Sequence, residues 1–132
     1  MFVTVAICTW NRADLLDGTL ASLAALRVPP GVEWEVIVVD NNSMDHTQQV
    51  LKKHTTLPLK PHFEPRQGHT RARNHAIRES RGDLMLWTDD DVIVDPEWLA
   101  EFVRAAETHP AAGFFGGWIE PQYETPPPVS YT

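Results

Sequence analysis

Short apolar segments rich in β-branched residues alternate along this chain with segments whose apolar residues recur at helical spacing. Such alternation is typical of a parallel sheet covered by helices on both faces, so we predict a mostly parallel, Rossmann-like α/β fold. The predicted strands are Phe2–Thr9, Glu35–Asp40, Leu59–Glu64, Asp83–Thr88 and Ala112–Ile119. The predicted helices are Asp14–Leu26, Asp45–His54, Arg71–Ser80 with Thr70 as its cap, and Pro96–Thr108 with Asp95 as its cap.

The length and charge of the chain narrow the class of protein. Its 132 residues make one domain or part of a larger one, and 42% hydrophobic with 22% charged residues is ordinary globular usage. A net charge of -7 argues against a nucleic-acid partner or an anionic membrane surface. Cys8 is the single cysteine, which excludes an internal disulfide. No targeting segment or membrane-length apolar run stands out, so we predict a cytoplasmic location.

Polar segments follow three of the predicted strands. They are Thr9–Arg12, Asp40–Asn42 and Asp89–Asp91, and two of them are acidic. Ligands of open parallel sheets bind beyond the carboxyl ends of the strands, so we expect these segments to border a common site. The chain has neither a G-x-G-x-x-G motif nor a P-loop motif, so phosphate would need a metal or side chains to balance its charge.

The acidic triplet Asp89–Asp91 is the strongest single feature. Three adjacent carboxylates repel one another and need a cation or abundant water. Alternate residues on a strand share a face, so we expect Asp89 and Asp91 to lie together and Asp90 opposite. Two oxygen ligands on one face suit Mg²⁺ or Mn²⁺, with a substrate phosphate completing the shell. A solvated acidic turn before the last helix is the alternative.

Other candidate residues are less specific. Asp40 either accepts hydrogen bonds from a nucleotide or forms a local turn. Arg71 and Arg73 bind an anion or form surface ion pairs. Cys8 is interpreted as a core residue, and Trp10 and Trp118 as residues that line a cleft. The six histidines show no metal-ligand spacing along the sequence.

Four motifs in order resemble the amino-terminal half of family 2 glycosyltransferases with the A-type fold. The resemblance runs from Val3 to about Pro121, with Cys8 where the family often has proline. The motifs are Thr9–Arg12 (T-[YW]-N-R), Val39–Ser43 (V-D-[ND]-x-S), Gly68–Asn74 (G-x-x-x-A-R-N) and Arg81–Asp91 (G-[ED]…D-x-D).

The resemblance implies an inverting, metal-dependent transferase that passes a sugar from a nucleoside diphosphate sugar to an acceptor hydroxyl of a saccharide, lipid or other compound. It implies that Thr9, Asn11 and Arg12 frame the nucleotide and that Asp40 contacts its base. Arg73 would support the nucleotide pocket, Asp89 would face the ribose or the metal, and Asp91 would bind Mg²⁺ or Mn²⁺. The catalytic base is expected beyond Thr132, because neither Glu120 nor Glu124 lies in a matching motif.

The resemblance also implies a division of the chain. Residues 1–121 would be a partial, truncated nucleotide-sugar-binding domain, and residues 122–132 a proline-rich connecting segment or tail. An incomplete sheet would fray there or associate with a second copy through the truncated face. Peripheral association with a membrane would occur through the acceptor. The alternatives are a nucleotidyltransferase of related fold, a phosphoacceptor signalling domain, which lacks its acidic pair here, and a non-catalytic nucleotide-binding fragment.

Overall fold

A computed structural model describes residues 1–117 of the chain. Their four strands are β1 (Phe2–Thr9), β2 (Glu33–Asp40), β3 (Leu59–Phe63) and β4 (Leu84–Trp87). Their four helices are α1 (Ala13–Ala24), α2 (Thr47–Lys53), α3 (His69–Glu79) and α4 (Trp98–Thr108). Trp118, Glu120, Glu124 and the predicted tail 122–132 lie outside the described residues. Within those residues, none of the helices has the length and apolarity needed to cross a bilayer.

The strands form one parallel sheet in the order β3-β2-β1-β4, which confirms the predicted α/β class. β1 lies between β2 and β4, and its last residue, Thr9, is level with Asp40 at the end of β2. The polar segments that follow β1 and β2 therefore leave the sheet side by side.

The two faces of the sheet bury different cores. Alternate residues of β1 and β2, such as Val5 and Val38, pack with leucines of α1 and with residues of α2 and α4. The opposite face, which includes Ala6, packs against Ala72 and Ala76 of α3. Small residues on both sides let α3 approach this face closely. Continuous apolar strands are explained by this two-sided burial.

Several predicted boundaries need correction. α3 begins at His69 after Gly68, whose φ of 147° is open to glycine, so Thr70 lies inside the helix and does not cap it. α4 begins at Trp98, and Asp95 accepts a hydrogen bond from the Glu97 amide in the turn before it. No strand forms in residues 112–117, the described part of the predicted fifth strand.

Glu35 is a buried carboxylate that ties β2 to both edges of the sheet. Its oxygens accept hydrogen bonds from Lys60 Nζ (2.8 Å), Thr4 Oγ1 (2.7 Å) and the Arg81 amide (3.0 Å). Burial raises the pKa of Glu35, but these donors outweigh burial and leave its pKa below the usual value. The ionised form is therefore part of the folded structure.

We expect Glu35→Gln to lower the free energy of unfolding by about 2 kcal/mol at neutral pH, because the bonds lost are to a charged acceptor. The folded-state pKa is depressed, so the wild-type advantage is present above about pH 4.5 and declines as the pH falls through the folded-state pKa. Urea unfolding of both proteins from pH 7 to pH 3 measures this. Glu33→Gln, at an exposed position of the same strand, is the control. An equal loss at all pH values would contradict the expected role of the charge.

Candidate functional site

A cavity of about 560 Å³ opens at the carboxyl ends of β1 and β4, beside the start of α3. Most of its lining residues are polar or charged, and they come from segments far apart in sequence. The lining residues are Cys8, Thr9, Trp10, Arg12, Asn41, Gln67, Gly68, His69, Ala72, Asp89, Asp90 and Asp91. This is the edge at which the sequence predicts a ligand site.

All three aspartates of the triplet line this cavity, so the predicted division of the triplet between two faces is wrong. The reason is local: β4 ends at Trp87, and Asp90 and Asp91 belong to a turn, where strand alternation no longer applies. Asp89 and Asp91 are exposed, whereas Asp90 is only 6% exposed.

Asp90 is held by two of the three residues that the resemblance assigns to the nucleotide pocket after β1. Thr9 Oγ1 donates a hydrogen bond of 2.8 Å to Asp90 Oδ2. Arg12 Nη1 lies 3.5 Å from Asp90 Oδ1 and 3.1 Å from Asp91 Oδ2. Burial raises the pKa of Asp90 and the charge of Asp91 adds to this, while Thr9 and Arg12 act in the opposite direction. The cavity therefore carries a concentrated negative charge that one guanidinium offsets in part.

Asn11 connects two loops and is not among the lining residues. Its amide donates to Ser43 Oγ (2.9 Å), and its Oδ1 accepts a hydrogen bond from the Met44 amide (2.7 Å). Its φ of 53° is left-handed, a conformation that asparagine tolerates better than most residues. Asn11 thus fixes the loop after β1 to the loop after β2, and its contact with a nucleotide stays a prediction.

Asp40 and Arg73 are likewise outside the cavity lining. Asp40 is 1% exposed, and its two oxygens accept hydrogen bonds from the Ser43 amide (3.0 Å) and Gln48 Nε2 (2.7 Å). The guanidinium carbon of Arg73 lies 4.0 Å from the ring centre of Trp87, a cation–π contact behind the triplet. A base contact of Asp40 stays a prediction.

The structure tests the interpretation of Trp10 as a cleft residue and of Cys8 as a core residue. Trp10 lines the cavity and is 52% exposed, which agrees with the interpretation of this residue as part of a cleft. Cys8 also borders the cavity, but burial raises the pKa of its thiol to about 11. The thiol form therefore predominates at neutral pH, and Cys8 is only partly buried at the edge of the core and not fully inside it.

Asn41 is the positioning residue that sequence reasoning missed. Its Oδ1 accepts a hydrogen bond from the Gly68 amide (2.9 Å), and its Nδ2 donates to the carbonyls of Glu64 (3.1 Å) and Arg66 (2.9 Å). This buried amide fixes the connection from β3 to α3, which carries Gln67 to the cavity. An Asn directly after a strand-end Asp was the available signal, but it indicated only a turn.

We expect Asn41→Asp to destabilise the fold by about 2 kcal/mol, because the new oxygen faces two carbonyls that have lost their donor. The acceptor for the Gly68 amide is retained, so the defect is confined to the donor side. Thermal unfolding measures the change. Asn74→Asp, on the exposed side of α3, introduces the same charge as a control. Equal melting temperatures for the two variants would refute this role of Asn41.

The donor set of the cavity fits a divalent cation that prefers oxygen. The carboxylates of Asp89, Asp90 and Asp91 all border the cavity, although their three oxygens do not lie within 4.8 Å of one another. Asp89 has no ion-pair partner among residues 1–117. Arg12 forms an ion pair with Asp91. Both side chains are about half exposed, so the pair is weak and a divalent ion can take the place of Arg12. Carboxylate oxygens are the ligands that Mg²⁺ and Mn²⁺ prefer.

Comparison with known proteins agrees with the fold and the motifs. Succinoglycan biosynthesis protein ExoM from Rhizobium meliloti is 30% identical over 124 residues, which are 88% of this chain and 38% of ExoM. The structure of S. aureus TarS residues 1–349 with UDP-GlcNAc superposes with a TM-score of 0.73 at 30% identity, covering 83% of this chain and 32% of that one. The mannosyltransferase PcManGT from Pyrobaculum calidifontis, in complex with GDP-Man and Mn²⁺, gives 0.72 at 29% identity over 79% of this chain and 32% of that one.

The chain thus spans about a third of the length of these relatives. Its match to a family is nevertheless nearly complete along its own length. The profile described as Glycosyl transferase family 2 matches residues 4–131, from β1 through the acidic triplet and past the described residues. Together with the parallel sheet and the acidic cavity at its edge, this match shows that the chain belongs to glycosyl transferase family 2.

Proposed function

We propose that the protein transfers a sugar from a nucleoside diphosphate sugar to an acceptor hydroxyl, and that the cavity beside the acidic triplet binds the donor. The observation that carries the proposal is the convergence of Thr9, Arg12 and the three aspartates on one cavity at the carboxyl edge of the sheet. This edge is where open α/β sheets bind nucleotides.

The ligands of the relatives support a nucleotide-sugar donor. TarS has been crystallised with UDP-GlcNAc and with UDP, and PcManGT with GDP-Man and Mn²⁺. The two nucleotide bases differ between these relatives, so the similarity supports the donor class and leaves the base and the sugar open. The acceptor is an unspecified hydroxyl compound.

The residues have distinct parts in the proposed donor site. Asp89 and Asp91 would hold Mg²⁺ or Mn²⁺, which when bound neutralises charge on the leaving diphosphate. Arg12, exposed at the cavity, would turn from Asp91 to a phosphate oxygen, and Thr9 would keep Asp90 in place. Asn11 would help to frame the nucleotide, Asp40 would contact its base, and Arg73 would support the nucleotide pocket. Asn11 and Asp40 also fix the loops beside the cavity.

The finer features of the reaction follow from family resemblance. We propose inversion at the sugar carbon, with a base from outside the 132 residues taking the acceptor proton. We also propose a division at residue 121 and a cytoplasmic location. The second candidate is a segment that binds nucleotide but does not catalyse transfer alone. It is favoured because the chain covers only about a third of the length of its relatives.

Calorimetric titration of UDP and GDP into the 132-residue chain tests donor binding, with Mn²⁺, with Mg²⁺ and with chelator. We expect binding of at least one nucleotide that requires the divalent ion. Folding is checked by circular dichroism in each condition. If the folded chain binds neither nucleotide in the presence of Mn²⁺, the proposed donor site is wrong. Sugar release from a bound UDP-sugar, measured in parallel, separates the transferase from the non-catalytic segment.

A further inference from the structure

A second group of metal-binding side chains lies outside the cavity, where β3 meets α3. One ring nitrogen of His62, one of His75 and a carboxylate oxygen of Glu79 all lie within 4.8 Å of one another. The two imidazole rings have centroids 5.3 Å apart. None of the three residues lines the donor cavity.

The fold brings these ligands together for reasons that can be traced. His62 is level with Val39 in the β2–β3 pair, and Val39 packs on the α3 face of the sheet. Partners across a strand pair point to the same face, so His62 faces α3. His75 and Glu79 are four residues apart on α3 and therefore lie on one side of the helix.

His75 lies beside a buried carboxylate. Its Nδ1 is buried and has no well-aligned hydrogen bond among residues 1–117, although it lies 3.4 Å from Glu64 Oε1. Glu64 is itself 3% exposed and also interacts with Arg66 (3.4 Å) and, more distantly, Arg78 (3.9 Å). A carboxylate beside a histidine is the arrangement that orients metal-binding imidazoles in proteins.

We propose that His62, His75 and Glu79 bind a transition-metal ion of the Zn²⁺ type, with Glu64 orienting the ring of His75. Two imidazoles and one carboxylate are a recognised ligand set for Zn²⁺, with a fourth position left to water. Ligand atoms on a tetrahedral ion are about 3.4 Å apart when the bonds are about 2.1 Å. The present separations therefore close by about 1.5 Å or less, which rotation of half-buried histidines and an exposed glutamate supplies.

This site differs from the acidic triplet in chemistry and in consequence. Nitrogen donors select Zn²⁺ over Mg²⁺, whereas the triplet offers only oxygen. An ion held by β3 and α3 would clamp the two flanks of the connection that carries Gln67 and Gly68 to the cavity. We therefore expect the ion to stabilise this connection whether or not the donor is bound.

Competition titration of Zn²⁺ against a chromogenic chelator, in the presence of excess Mg²⁺, tests the proposal. We expect one Zn²⁺ per chain, with affinity at least 100-fold lower in His75→Asn and about 10-fold lower in the exposed Glu79→Gln. His109→Asn, at an exposed histidine just after α4, should bind like the wild type. Co²⁺ in place of Zn²⁺ should give visible absorption of a four- or five-coordinate ion, and His75→Asn should abolish it.

Two further measurements make the result decisive. Glu64→Gln should weaken Zn²⁺ binding by about 10- to 100-fold, the usual effect of losing a partner of a metal-binding histidine. Asp91→Ala should leave Zn²⁺ binding unchanged, since Asp91 belongs to the other site. Absence of Zn²⁺ binding, equal affinity in wild type and Glu79→Gln, or loss of binding on Asp91→Ala would each overturn the proposal.

Discussion

Asp91→Ala is expected to abolish the divalent-ion dependence of nucleotide binding. Asp91 is an exposed carboxylate on the donor cavity whose only described partner is Arg12, so it is free to exchange that partner for a cation. Losing one of two carboxylate ligands should weaken Mn²⁺-supported binding by more than the about 10- to 100-fold cost of losing an outer partner. Calorimetry of UDP and GDP with and without Mn²⁺ measures the effect.

The nucleotide affinity measured without metal distinguishes the loss of a metal ligand from general damage to the site. Removing Asp91 also removes a negative charge from the cavity and leaves Arg12 with Asp90 alone, 3.5 Å away. Binding without metal should therefore be unchanged or slightly stronger, while the gain on adding Mn²⁺ disappears. Asp14→Ala is the charge-matched control, because this exposed aspartate pairs with His46 alone within residues 1–117. A full Mn²⁺ effect in Asp91→Ala would contradict the assignment of Asp91 as a ligand.

Gly82→Ala is expected to destabilise the fold by about 3 kcal/mol, the upper end of the usual cost of overpacking. A Cβ added at Gly82 would lie 2.6 Å from the amide nitrogen and from Oγ1 of Thr4, and 2.9 Å from the Leu84 carbonyl oxygen. Thr4 belongs to β1, which is paired on both sides, so its backbone has no room to move. We expect the melting temperature to fall by about 10 °C for a chain of this size.

Gly18→Ala is the matched control for this substitution. Its added Cβ would lie 3.5 Å from Ile93 Cδ1, an ordinary contact, and alanine favours a helix over glycine by roughly 0.5–1 kcal/mol. The two variants should therefore shift the melting temperature in opposite directions. A Gly82→Ala protein that melts with the wild type would show that the close approach to Thr4 can relax.

The sheet was predictable because its strands are continuous apolar runs. Burial on both faces keeps β1 and β2 mainly apolar before the strand end, with Thr4 and Glu35 as buried exceptions that pair with each other. That pattern is legible in Phe2–Thr9 and Glu35–Asp40 without coordinates. Parallel strands have their carboxyl ends at one edge, so the convergence of Thr9 with the triplet also followed. The motif resemblance led to the correct family because the residues of each motif are close together in the sequence.

Side-chain placement beyond the strand ends was less predictable. Alternation holds only while the backbone is extended, and β4 stops before the triplet, so all three aspartates reached the cavity. Asp40 and Asn11 are polar residues at the expected edge, yet both are engaged by neighbouring loops. Local propensity does not encode which of these hydrogen bonds wins, because the partners come from loops that only packing brings together.

The sequence by itself determined the α/β class, the ligand edge and the family, because each depends on residue types that are contiguous in the chain. Only the tertiary structure decided that Asn41 holds the β3–α3 connection and that Gly82 has no room for a side chain. It also decided that His62 meets His75 and Glu79, although no spacing along the chain suggests a ligand set. Each of these depends on two segments approaching one another, and that distance is set by how the strands pair and how α3 packs on the sheet.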